Sequence, residues 1–541
     1  MPERAANLPR SLAYGLEGRI VTMDPAFTVY ERGTLYVREG HIAAIVPQGS
    51  PIPPELGSAP VYKTRGTIYP GLIELHNHLS YNALPPWRVP RRYSNRDQWG
   101  RESDYRRLIS GPMKVLGSLP EYVAAVVRYV EGKCLLSGVT TTQGIALYSN
   151  QGIQRYYRGL VRNVEQTDEA ALPEADSRIA DVEAVSVERF WQHLQKRTCL
   201  LLHLSEGTDA SARRRFTDLR LPGGAWAVNA ALTGIHCVGL QPDDFHVLAE
   251  RGAAMVWSPL SNLLLYGQTA DLRAARDAGL PIGLGSDWSP SGSKNLLFEL
   301  KVARLASDAA GGLFADRELV AMATSNAAAI LRWEKELGSL EAGKRADLLV
   351  LAGRDGDPYA HLIGASEGDI HLVVIEGAPR FGAPGLMGRF AWTERWKVGK
   401  RSRLLNLSAE EGDPAVGQVT LRQARDRLRD ALARLPELAA GLERSAPDGR
   451  VGPATLTGPG WFLMLEQEEP EGIALETHFA EGEPGLALER ALDRAAPPLS
   501  AILEAMELDP LTVADDARFV DQLTEQINLP EQIKVGLRRW S

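Results

Sequence analysis

Residues 71–78 read GLIELHNH, a short apolar run that closes on two histidines one residue apart. In an extended strand successive side chains alternate, so His76 and His78 share one side while Asn77 takes the other. Outward from this run the pattern recurs. GVTTT (138–142), LVRNV (160–164), CLLLHL (199–204), TGIHCV (233–238), AAMVWS (253–258) and PIGLGS (281–286) are short apolar runs. Between them lie stretches of helical period, such as EYVAAVVRYVEGKCLLSG (121–138) and ADLRAARDAGL (270–280). Apolar strands alternating with helices imply a parallel sheet covered on its faces. Repeated over residues 70–334, the unit suits an α/β fold of the (β/α)8, TIM-like barrel type, which takes about 250 residues.

The flanks differ. RIVTMD (19–24), GTLYVREGHIAAIV (33–46) and VYKTRGTIYP (61–70) are strand-like and separated by turn residues, and strands return after the barrel in LVVIEGAPRFG (372–382). Residues 1–69 and 335–398 are therefore expected to form one small composite β-sandwich domain. Residues 399–541 form an α+β extension: TLRQARDRLRDALARLPELAAGLERS (420–445) reads as one long amphipathic helix, and GWFLMLEQE (460–468) with GIALETHF (472–479) as a hairpin. The acidic stretch 466–485 reads as solvated surface.

At about 150 residues per domain, 541 residues leave room for three to four domains. Lys plus Arg is 60 and Asp plus Glu is 68, a net charge of −8, so the chain gains nothing from counterion release and nucleic acid is not an expected partner. Hydrophobic residues at 44% and charged residues at 24% exclude disordered, collagen-like and coiled-coil chains. Three cysteines, Cys134, Cys199 and Cys237, make no disulfide framework and fit a reducing compartment. MPERAANLPR has no apolar core of a signal peptide, and no run of about 18 apolar residues offers a membrane span. A cytoplasmic location, no membrane partner and a homo-oligomer, a dimer, are the expectations.

His203 and His236 also close apolar runs, and Asp287 follows PIGLGS. Strand ends of a barrel converge on one face, so these residues become neighbours there. Neutral imidazoles with one carboxylate suit Zn²⁺ or Fe²⁺. Glu206 lies just beyond His203, within reach of a metal-activated water whose proton it can accept and pass on.

HNH after YPGLIEL, HLSE, IHCVGL, WSPLSNLLL, GLGSD and LGSLEAGKRADLLVL, in this order over about residues 8–385, resemble the amidohydrolase superfamily. They look most like its aminohydrolase and chlorohydrolase branch, which includes guanine, cytosine and S-adenosylhomocysteine deaminases and triazine hydrolases. The resemblance implies that His76, His78, His203 and Asp287 hold the metal, with Asp287 doubling as a base. It implies Glu206 as proton shuttle and His236 as the group that bonds the attacked heteroatom or the water, ligating in some members. Ser261 and Asn262 match an SN turn taken as structural support. Two-metal members carry a lysine on a middle strand. Between Gly144 and His203 the only lysine is Lys196, in a helical stretch, so one divalent metal is expected, Zn²⁺ before Fe²⁺. Glu74 stands where the family has Asp, and Trp288 where it has Gly. The extension after about residue 400 has no counterpart.

Tyr81, Trp87, Gln143, Trp257 and Trp288 are the candidate substrate contacts. Tyr81 and Trp87 belong to a loop (81–99) placed to cover a barrel mouth, and the indoles of Trp257 and Trp288 serve either as pocket wall or as barrel packing. Cys237 is expected to be packing. The expected function is metal-dependent hydrolysis of a C–N bond in a small molecule, deamination of a nitrogen heterocycle first. C–Cl or amide hydrolysis on the same site is an alternative, and a catalytically silent barrel serving as a scaffold is another of a different class. Trimming near residue 400 is expected to alter solubility or oligomeric state and to leave metal content unchanged.

Overall fold

The computed structural model describes residues 13–409, 412–445, 460–465 and 497–540. Short parallel strands dominate residues 72–284. They are β1 (Leu72–Ile73), β2 (Val139–Thr142), β3 (Arg162–Asn163), β4 (Ala175–Arg178), β5 (Cys199–Leu204), β6 (Leu232–His236), β7 (Ala254–Trp257) and β8 (Ile282–Leu284). Their ladder is divided into two arcs, β1-β2-β3 and β4-β5-β6-β7-β8, rather than running unbroken round a closed barrel. Isolated backbone bonds cross each gap: Ala175 N donates to Val164 O at 2.8 Å between β3 and β4, and Leu75 N to Leu284 O at 3.3 Å is the first of those between β1 and β8. Ile73, Leu75, Leu201, Ile235 and Val256 fill one buried apolar cluster. Helices such as Pro120–Leu136, Val187–Leu194, Pro242–Glu250 and Leu296–Ala309 follow these strands. Among the described residues, no helix is long and apolar enough to cross a membrane.

The expected sandwich is one nine-stranded sheet. Val61–Pro70 is the reason. It pairs parallel with Tyr14–Val21 on one edge and antiparallel with Leu348–Ala352 on the other, from Leu348↔Pro70 to Ala352↔Gly66. The two flanks of the barrel segment are thus joined edge to edge in a single ladder. The sheet also continues past residue 398, because Glu394–Val398 and Arg401–Leu405 form a hairpin on its rim.

The single helix expected over 420–445 is two, Leu421–Ala433 and Leu435–Ser445. Pro436 has no N–H to give the carbonyl of Leu432. That carbonyl accepts from Met506 N at 2.9 Å instead, so the break receives the C-terminal segment. The expected partner of 460–468, residues 472–479, lies outside the described residues, as do the acidic stretch 466–485 and His478. Trp461–Leu463 pairs antiparallel with Ala146–Ser149 of the barrel segment.

Arg162 on β3 ties the two units together, 2.7 Å from Asp347 and 3.0 Å from Glu376. Both members of the Arg162–Asp347 pair are buried, and removing one partner of such a pair leaves an uncompensated charge. Asp347→Ala is expected to lower stability by about 3–5 kcal/mol, read as a reduced midpoint of denaturant unfolding. An unchanged midpoint would show that Glu376 alone balances Arg162.

Candidate metal centre

The site lies where β1 and β8 meet. Asn77 and Asp287 form a parallel bridge. Asp287 N donates to His76 O at 3.0 Å, and His78 N donates to Asp287 O at 2.6 Å. These bonds bring three candidate ligands together by backbone alone. His76 Nε2 and His78 Nε2 each stand 3.3 Å from Asp287 Oδ1. Gly285 permits the approach: a Cβ there would lie 2.5 Å from the Cβ of His76. His203 at the end of β5 brings Nε2 to 3.3 Å from His78 Nε2, and His236 ends β6 with its ring centroid 5.0 Å from that of His76. Two sets, His76–His203–His236 and His76–His78–Asp287, have nitrogens and oxygens within 4.8 Å of one another. His236 and Asp287 both adopt left-handed backbone, φ 68° and 66°. Side-chain-bearing residues hold that conformation at a cost of about 1–3 kcal/mol, typically where a site requires it.

His76, His203 and His236 are each held by the ring nitrogen away from the cluster. Gln143 Oε1 lies 3.2 Å from His76 Nδ1 and accepts from Asn77 N at 2.8 Å, while Gln143 Nε2 donates to Ser177 Oγ. Ser177 in turn donates to Glu165, whose other oxygen accepts from Gly144 N. Burial raises the Glu165 carboxyl to about 7 against the bonds from Ser177 and Gly144. His203 Nδ1 lies 3.3 Å from the carbonyl of Arg178, and His236 Nδ1 2.9 Å from Asn262 Oδ1. Glu74 accepts from Ser286 N and Oγ, a structural role that fixes the turn before Asp287.

The helix Pro259–Tyr266 supplies two of the partners. It begins with proline at its first turn and ends at Gly267 in the left-handed conformation, φ 69°. Asn262 and Tyr266, four apart, share one face. Asn262 reaches His236, and Tyr266 OH donates to Glu206 Oε1 at 2.8 Å. Glu206 Oε2 then faces His236 Nε2 at 3.8 Å and Arg96 Nη1 at 3.9 Å.

The donor set fits a divalent cation. His76 Nε2 is buried, faces the cluster and has no hydrogen-bond partner. Burial, reinforced by neighbouring imidazoles, holds His203 well below the usual histidine range, and burial also lowers His236 against the pull of Glu206. Both shifts disfavour the protonated imidazole, the form with no lone pair to give. Burial pushes Asp287 up, but His76, His78 and His236 outweigh it and hold the carboxyl well below its usual range.

The candidate substrate residues separate. Trp288 stands 5.6 Å from the His78 ring and 5.4 Å from Tyr81, with Trp99 and Tyr105 at 6.0 and 6.2 Å. Trp87 lies one layer out, 6.2 Å from Tyr93 and 6.4 Å from Tyr105. Trp257 is wholly buried, bonds Thr269 and packs near Phe314. Both ends of the Gln143 amide are engaged behind His76. Arg96, Tyr266 and Trp99, which bonds Tyr266 OH, carry no motif and escape a sequence reading.

Residues 213–379 match the amidohydrolase family model. A 5-methylthioadenosine/S-adenosylhomocysteine deaminase of Symbiobacterium thermophilum is 32% identical over 200 residues, 32% of this chain and 44% of that protein. The matched stretch therefore spans under half of that relative. Two solved structures share the fold. An adenosine deaminase from Xanthomonas campestris with bound zinc has TM-score 0.51 and 18% identity, covering 78% of this chain and all of that one. A guanine deaminase from Bradyrhizobium japonicum has TM-score 0.53 and 18% identity, covering 68% and 99%. Residues 213–379 are thus similar to the amidohydrolase family, and the α/β fold with its sheet domain is similar to that of the two deaminases.

Proposed function

We propose that the chain is a metal-dependent hydrolase of carbon–nitrogen bonds that deaminates a nitrogen heterocycle, using one divalent cation, zinc in the first place. The observation that carries this is the meeting of His76, His78, His203 and Asp287 around the orphaned His76 Nε2, with Glu206 and His236 facing each other alongside. The cation, when bound, supplies Lewis acidity and makes a water acidic near neutral pH. Asp287, whose ionised form the neighbouring imidazoles favour, would serve as the base toward that water. Glu206 carries the proton onward to the leaving nitrogen. Its Oε1 is fixed by Tyr266, so Oε2 is the oxygen that moves protons. The bond from His236 Nδ1 to the amide oxygen of Asn262 selects the tautomer with the Nε2 lone pair turned to the centre. Neutral His236 would accordingly turn a lone pair rather than an N–H to the centre, fit to accept a hydrogen bond from the activated water or to join in holding the cation rather than to donate to the substrate. Trp288 and Tyr81 form an aromatic wall beside His78, suited to a planar ring.

Metal-loaded protein is expected to release ammonia from a member of a panel containing adenine nucleosides with thioether substituents, free purines, pyrimidines and triazines. Ammonia from none of them would remove deamination. Asp287→Asn is expected to abolish turnover with the melting temperature retained; turnover near wild type would take Asp287 out of the chemistry. Glu206→Gln is expected to slow turnover by about 10²–10⁴, with zinc content unchanged by elemental analysis. Equal rates would mean that another group moves the proton.

A further inference from the structure

The C-terminal segment enters the site from behind. Two lysines lie wholly buried there, Lys133 on the helix Pro120–Leu136 and Lys294 beyond β8. Lys133 Nζ donates to Asn82 O at 2.6 Å and to Ser289 Oγ at 3.1 Å. Asn82 follows His78 in the next turn, and Ser289 lies two residues beyond Asp287. Asn82 also joins the two ligand loops directly: its Oδ1 accepts from Ser289 N at 2.7 Å and its Nδ2 donates to Asn77 Oδ1 at 2.9 Å. Both buried cations find their counter-charges in the C-terminal segment. Asp509, 0% exposed, bonds Lys133 through Oδ2 and Lys294 through Oδ1, and Asp516 stands 3.0 Å from Lys294. Backbone bonds seat Asp509: its N donates to Ala83 O at 3.1 Å, and Tyr129 OH donates to its carbonyl at 2.6 Å. Phe519 presents its ring to Lys294 at 4.8 Å. The same segment pins the covering loop. Gln526 bonds Trp87 O and Val89 N, and Asn528 bonds Arg91 O and Leu264 O.

We propose that Asp509 is a positioning residue of the metal centre, holding Lys133 and Lys294 so that the turn after His78 and the loop after Asp287 keep the spacing a cation requires. The charge count supports it: two ammoniums against two carboxylates give zero, and both carboxylates come from beyond residue 498. Burying ammoniums without partners is unfavourable, so without Asp509 Lys133 leaves its bonds to Asn82 and Ser289, Lys294 shifts with its loop, and the ligand loops part. The C-terminal segment is then a component of the site rather than an appendage. Contrary to the expectation from sequence, removing it changes metal affinity.

This rests on the metal reading above, and the test separates the two. Zinc affinity is measured by competition with a chromophoric chelator, alongside the visible spectrum of the cobalt-loaded protein and the melting temperature. Asp509→Asn is expected to weaken zinc binding by about 10–100-fold, the range for groups that support metal ligands, and to alter the cobalt spectrum. Asp509→Asn combined with Lys294→Met restores charge balance, Lys133 against Asp516, and is expected to return most of the affinity. This double variant decides the matter should the single one fail to fold. A wild type that takes up no zinc overturns the metal reading and this inference together. A wild type that binds zinc, beside a folded Asp509→Asn that binds it equally, or a folded double variant with no recovery over the single, overturns the inference alone.

Discussion

Three backbone hydrogen bonds between the ends of β1 and β8, with the parallel bridge of Asn77 to Asp287, place most of the candidate chemistry. They fix His76, His78 and Asp287 relative to one another before any side chain is considered. Peptide hydrogen bonds between strands leave little freedom in register, so the spacing is a property of the fold. His203 and His236 join from neighbouring strands, β5 and β6, which pair in parallel with His203 opposite Ile235. What remains for side chains is orientation, and four take it from a partner on the side away from the centre: Gln143 for His76, the Arg178 carbonyl for His203, Asn262 for His236 and Tyr266 for Glu206.

Such a site is costly to hold. Left-handed backbone at His236 and Asp287, a carboxyl at Glu165 raised by burial and a second at Glu299 raised to about 8 are each unfavourable in isolation. They persist because they are partnered. Glu299 accepts from Leu260 N and Ser293 Oγ, which ties the helix carrying Asn262 and Tyr266 to the loop beyond Asp287. The buried ammoniums are balanced by Asp509 and Asp516. One polar layer thus runs beneath the centre, contributed by the barrel segment and the C-terminal segment together.

The strand-end residues were legible because period-2 and period-3.6 patterns alternate cleanly across 70–334, and because His76, His78, His203, His236 and Asp287 each close an apolar run. The partners behind them were not. Tyr266 ends LLLY and reads as core; Asp509 sits in LDP, one acid among 68. Nothing local marks either, since each acts on residues distant in sequence. Asn262 was placed near the site but not given its hydrogen bond, which depends on the length of a helix stopped by Gly267. Strand pairing was equally hidden: Val61–Pro70 looks the same whether its second neighbour faces it across a sandwich or bonds to its edge. Pro436 was visible, and the missing N–H it brings divides the helix expected over 420–445.

The most direct measurement is X-ray absorption at the zinc edge of protein loaded with one equivalent of zinc. Nitrogen and oxygen neighbours at about 2.0–2.2 Å, with the multiple scattering of several imidazoles and no sulfur, are the predicted result. A neighbour at about 2.3 Å would place the metal on a thiolate, among the buried Cys134, Cys199 or Cys237, and would contradict the assignment of the strand-end cluster.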